Sequence, residues 1–330
     1  MSPTAGLTPA PDERGLSSRD PAEVRDLLAA AWDGLLDVAA ACDPAAPTRL
    51  PGWTAREILV HLGQWESDDD PLVALESDAR AQIVRNEDDV DARNAGVLAA
   101  HHDAPMAEVQ QALEAARARD LRFFDLPDAA DVGRRLVETS IGPLPLAGKV
   151  FGHAFELAVH ALDLTDGRSD HVPQELLNSG VAALVDVTGA LAARSSIDTT
   201  IAVITPQGCW ATGTSTAVER SWTTVRLHGD VRPSALGWPA VAGQAADVLE
   251  AASGRALAVQ LIATRRLRVH RPAALLRLLP ALESAPGLPG GSAVQASIQA
   301  LGQAGRWAGR VSGRLSDTVA GGVASVLRRR

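Results

Sequence analysis

The sequence predicts a mixed fold: a bundle of four or five helices over residues 20–168, then a smaller α+β domain over 169–284. Three observations carry it. Apolar residues recur at helical spacing as far as residue 166. Short β-like runs such as "TTIAVITP", "CWATGTS" and "WTTVRLHGD" appear only after residue 198. "APGLPGGS" then reads as a linker into a tail over residues 285–330.

Residues 1–19, rich in Pro, Gly and Ser with no apolar core, read as a disordered lead-in, not a secretory signal. Asp20 is the expected N-cap, and Pro21 the first-turn residue, of a helix through Cys42. "PAAPTRLPG" is a loop, and "TARE" (Thr54–Glu57) is a capping box opening a second helix to about Glu66. In it Ile58, His61, Leu62 and Trp65 share the apolar face. Helices are expected near 88–101 and 105–124, with His101 and His102 on the surface, and another over 146–165. The second domain starts with a helix from Gln174 to about Arg194. After the three β-like runs come a helical "AADVLEAASGR", a strand "RLRVH" and a last helix "PAALLRLLPALE".

Composition narrows the function. The chain has 330 residues, 46% of them hydrophobic, enough for two packed cores. No apolar run reaches the roughly 18 residues of a membrane span. Two cysteines, Cys42 and Cys209, are too few for a disulfide framework, which points to the cytoplasm. The net charge of −9 is uneven: the tail carries +5, leaving −14 on residues 1–284. An acidic body argues against nucleic acid as a partner. In the tail, Arg306, Arg310 and Arg314 form a basic row beside Trp307, Val311 and Leu315, a pattern suited to weak contact with a membrane surface or a partner.

"GHAFELAVHALDL" (152–164) sets His153, Glu156, His160 and Asp163 in an apolar run without lysine or arginine. At about 100° per residue they occupy one stripe roughly 80° wide. Such a helix is buried over most of its girth, and its carboxylates and imidazoles need partners. A metal ion is one solution and a hydrogen-bonded core network is another. His61, inward on another helix, completes a three-donor set with Glu156 and His160, the open pattern of catalytic zinc.

At these residues the chain resembles the mycothiol-dependent maleylpyruvate isomerase family, within the wider DinB-like metal-binding bundles. The likeness lies in "LPGWTAREILVHLGQWE" and "FELAVHALDL". It extends to "GQAADVLEAASGR" and "LRVHRPAALLRLL", which look like an appended sterol-carrier-like domain. It spans roughly residues 20–284. The resemblance implies His61, Glu156 and His160 as ligands of a divalent metal, usually Zn2+, with mycothiol as thiol cofactor. Where family members often carry an arginine, this chain has His153, a fourth ligand, a partner standing behind the ligands, or an exposed residue. Asp163 is read as a brace or as orienting a ligand imidazole.

The implied reaction is cis–trans isomerisation of an electrophilic small molecule by thiolate addition. Alternatives are a mycothiol S-transferase acting on another electrophile and a non-enzymatic protein binding an apolar ligand. Arg226 is a candidate for cofactor or substrate carboxylates.

Overall fold

The computed structural model describes residues 6–65, 87–139, 141–278 and 280–281. The sequence boundaries of its first helices match their caps. Helix α1 (Pro21–Ala41) begins with Asp20 accepting from the Ala22 N–H and with proline in the first turn. Helix α2 (Ala55–Leu62) opens on the full Thr54–Glu57 capping box. It ends four residues before Glu66, because Gln64 turns into the left-handed region at φ 46°, which continues no right-handed helix.

Helices α3 (Glu87–Ala100), α4 (Met106–Phe124) and α5 (Ala129–Gly133) follow, then a small β1–β2 ladder (Leu136–Val137 with Leu144–Pro145). Helix α6 (Leu146–Leu164) is the central element, buried along most of its length as its apolar girth requires. It packs on α1, α2 and helix α7 (Gln174–Arg194). Gly180 makes the α6–α7 contact possible: a Cβ there would lie 2.5 Å from the Ala158 Cβ. Length and composition would let α7 cross a membrane, yet it is a mostly buried core helix here. One face meets α1 and α6, and the chain also packs it on the sheet, so both parts of the molecule share it.

The sheet has the order β5-β4-β3-β6-β7, from Thr199–Ile204 (β3), Cys209–Thr214 (β4), Trp222–Leu227 (β5), Ala240–Gly243 (β6) and Leu267–His270 (β7). All pairs are antiparallel except β3–β6. Short helices α8 (Pro233–Leu236), α9 (Ala245–Ala252) and α10 (Ala258–Ala263) complete the second part. Ala245, Ala246 and Leu249 of α9 join the same core as Trp32, Ile58 and Leu157.

Two expectations are corrected. Residues 6–19 are not a disordered lead-in but an ordered strap. Leu7 and Leu16 are buried, the Leu7 N–H donates to Thr200 and the Trp222 N–H to the Glu13 carbonyl. The Leu16 N–H donates to Asp186 Oδ1, which also accepts from Trp222 Nε1 and Thr224 Oγ1. Backbone bonding, which needs no apolar periodicity, orders this segment. The last helix is interrupted: α11 covers Pro272–Leu275 and passes into a 3-10 turn, Leu276–Leu278, with residues 280–281 helical again and 282–283 outside the described residues. The basic tail over 285–330 and the acidic stretch at 66–70 lie outside the described residues.

Candidate metal centre

Helix α2 presents His61 in its last turn, and α6 presents Glu156 and His160 four residues apart on one face. One donor atom from each lies within 4.8 Å of the others. His160 Nε2 and Glu156 Oε2 are 3.7 Å apart, and the two imidazoles meet edge-on with centroids 5.2 Å apart. Donors on a tetrahedral zinc with bonds near 2.1 Å stand about 3.4 Å apart, so these three would draw in by about 1 Å to hold such an ion and would leave its fourth position open. Trp53, from the loop before α2, packs its edge on His61 at 5.6 Å and walls that side. The Glu156 side chain keeps 38% exposure, so the centre opens to solvent there.

Behind His160 sits Asp163, its side chain wholly buried. Its Oδ2 lies 3.0 Å from His160 Nδ1, off the line of a straight hydrogen bond. This leaves Nε2 as the ligand atom, with a carboxylate fixing the ring. Arg49 Nε donates to Asp163 Oδ1 at 2.8 Å, and Arg255 reaches both oxygens at 3.1 to 3.3 Å. Arg49 also donates to Glu250 Oε1 of α9 at 2.6 Å. Burial alone would raise the Asp163 pKa, but bonding to His160 and Arg255 and their charges hold it well below the usual carboxylate range.

His153 stands outside the three-donor cluster. Its Nδ1 lies 2.9 Å from Asp120 Oδ2 on α4 and 3.2 Å from the Gln64 amide just past α2. The same Asp120 oxygen accepts from Trp32 Nε1 at 2.9 Å. Arg119 donates to the Gln64 carbonyl at 2.7 Å and holds that turn.

Residues 10–165 match the family model described as the mycothiol maleylpyruvate isomerase N-terminal domain. The chain thus contains a mycothiol maleylpyruvate isomerase N-terminal domain, which takes up just under half of its length. A solved structure of the mycothiol-dependent maleylpyruvate isomerase is 15% identical, with a TM-score of 0.44, over 73% of this chain and 92% of that one. A histidine-to-alanine mutant of that isomerase is 13% identical, also at 0.44, over 77% and 95%. No curated protein matches.

The mycothiol maleylpyruvate isomerase N-terminal domain thus contains all three metal candidates, and Asp163 with them. Arg226 does not join them. It is exposed on β5 beside its cross-strand partner Trp210, with its guanidinium 6.0 Å above that ring. The arginines that do reach this region, Arg49 in a loop and Arg255 just past α9, carry no spacing signal. Their role rests on ion pairs across long sequence separations. His101 is half-buried rather than fully exposed, stacked on Trp65 at 3.9 Å, while His102 is exposed beside Asp103.

Proposed function

We propose that the chain is a divalent-metal enzyme, with Zn2+ the first choice, that uses mycothiol as thiol cofactor in maleylpyruvate isomerase-like cis–trans isomerisation. The observation that carries this is the convergence of His61, Glu156 and His160 within 4.8 Å, with Asp163 behind His160. Two imidazoles and one carboxylate suit zinc and leave a position for an outside ligand. When bound, metal and thiol together would supply a thiolate at neutral pH, the nucleophile that such an isomerisation needs.

The chain's own part is to hold and orient. His61 and His160 offer ring nitrogens, Asp163 braces the His160 ring, and Trp53 walls one flank. Arg49 and Arg255 neutralise the buried Asp163 charge and tie the centre to α9. The substrate is read as a small electrophile, nucleic acid is not a partner, and the compartment is the cytoplasm, in keeping with the two free cysteines. A binding role toward an apolar ligand is less well supported. The cavity of about 340 Å³ beside the sheet is lined by Asp198, Thr199, Thr200, Thr214, Ser215 and Arg277 among others, groups that reward polar ligands.

The test is metal analysis of the purified chain, then maleylpyruvate isomerisation with mycothiol by the metal-loaded and the metal-stripped protein. About one metal per chain and activity in the loaded form alone are expected, with His61→Ala and His160→Ala both losing metal. Full metal content in both variants would overturn the site. Conjugate formation without isomerisation would turn the assignment toward an S-transferase.

A further inference from the structure

We propose that Arg49 and Glu250 couple metal binding to the seating of helix α9: Glu250 positions Arg49, Arg49 positions Asp163, and Asp163 positions the His160 imidazole. The proposal rests on the reading of His61, Glu156 and His160 as a metal centre.

The line of contacts is continuous. Glu250 Oε1 on α9 accepts from Arg49 Nη1 at 2.6 Å, and Arg49 Nε donates to Asp163 Oδ1 at 2.8 Å. Asp163 Oδ2 then lies 3.0 Å from His160 Nδ1. One guanidinium thus joins residues 114 and 201 positions away in the chain. Its planar fork suits the task, because nitrogens at a fixed angle meet two carboxylates at once. Burial works against the Arg49 charge, but the hydrogen bonds and charges of Glu250 and Asp163 outweigh it and raise its pKa above the ordinary value.

Glu250 occupies an unusual position for a carboxylate. It is 7% exposed, on a helix whose Ala245, Ala246 and Leu249 enter the shared core. A charge buried there needs an opposite one, and among the described residues Arg49 is its ion-pair partner. Gly167, just past α6, leaves room for the pair: a Cβ there would lie 3.0 Å from Arg49 Nη1 and 3.3 Å from Glu250 Oε1. The turn that carries Arg49 is itself closed by bonds between Thr48 and Trp53, and Trp53 packs on His61. Arg49 is therefore connected to both histidines of the centre, to His160 through Asp163 and to His61 through Trp53.

Charge separates positioning from simple attraction. Asp163 and Glu250 are balanced by Arg49 and Arg255, so the group behind His160 is neutral as a set. Removing Arg49 leaves a net negative charge there, which by attraction alone would tighten a cation. Loss of positioning weakens the cation instead, so the two effects have opposite signs. By reciprocity, a metal that needs an ordered His160 holds α9 in place by the same free energy. Arg49 and Glu250 are positioning residues, and neither belongs to the donor set.

The test uses the full-length chain and Zn2+, at a temperature where every variant is folded. In chelator competition, Arg49→Ala and Arg49→Lys should each bind zinc about 10-fold more weakly, the low end for residues standing behind a ligand. Arg49→Lys keeps the charge without the fork and serves where the alanine variant folds poorly. Glu250→Gln should lose about 5-fold. In an Asp163→Asn background it should lose nothing further, because the route is already cut. Hydrogen exchange should show zinc slowing the α9 amides in the wild type and not in Arg49→Ala. Unchanged or tighter zinc binding in both Arg49 variants overturns the proposal. So do additive losses for Glu250→Gln and Asp163→Asn, or α9 exchange that zinc leaves untouched in the wild type. A wild-type chain that binds no zinc overturns the metal reading and the coupling with it, whereas tight zinc binding with unaffected variants strikes the coupling alone.

Discussion

Replacing Asp163 with asparagine keeps the volume of the side chain, removes its charge and turns one of its two acceptor oxygens into an NH2 donor. Three partners lose by it: Arg49 at 2.8 Å, Arg255 at 3.1 Å and His160 at 3.0 Å. Taking one partner from a buried ion pair costs about 3 to 5 kcal/mol when the other charge is stranded. Here the arginines keep 21% and 25% side-chain exposure, and Arg49 retains Glu250 at 2.6 Å. The low end therefore applies, about 3 kcal/mol. For a chain of this size that is a fall in Tm of about 6 °C, taking roughly 2 °C per kcal/mol. Without its carboxylate the His160 ring is no longer oriented, so zinc affinity should drop by about 10- to 100-fold. Thermal melts of metal-free protein and a chelator competition for zinc measure the two effects separately. Unchanged melting and unchanged affinity in Asp163→Asn would refute the assignment of Asp163 as the hub of this network.

Three further outcomes are expected. The folded-state pKa of Asp163 lies below its unfolded value. Its stabilisation is therefore complete above the ordinary carboxylate pKa of about 4 and lost as pH falls through the lower folded value. The stability gap between wild type and Asp163→Asn, followed by denaturant titration, should close on acidification below that point and stay constant above it. Gly180→Ala should destabilise the chain by about 1 to 3 kcal/mol, since its Cβ would meet Ala158 where two buried helices cannot part; equal denaturation midpoints would contradict this packing. Deleting residues 286–330 should leave metal content intact and abolish binding to anionic lipid vesicles at low salt, as sedimentation would show.

The parts of this fold legible in the sequence are those governed by local rules. The Asp20 and Thr54 caps and the 3.6-residue period of α1, α6 and α7 need only neighbouring residues. The grouping of Glu156 with His160 follows from one helical face, and His61 from its place among Ile58, Leu62 and Trp65. What the sequence hides is long-range. Asp120 sits in "RARDLRFF", where it passes for a solvated helix residue, and only the fold brings it to Trp32 and His153. Arg49 and Arg255 meet Asp163 across 114 and 92 residues. Arg226 looked available as an arginine near the domain junction, yet it lies exposed toward the end of β5, over the Trp210 ring.

The strap has a consequence for how the molecule keeps to itself. β5 is an outer strand of the sheet, and such a strand offers unpaired N–H and C=O groups to any other chain. Here the Glu13 carbonyl takes the Trp222 N–H, and Arg19 donates to the Thr224 carbonyl, two residues along the same strand. Residues 6–19 thus guard a sheet edge against pairing with a neighbour. A chain shortened to begin at Asp20 would bare that edge and grow by strand addition, turning a segment of no apparent chemistry into the guardian of solubility.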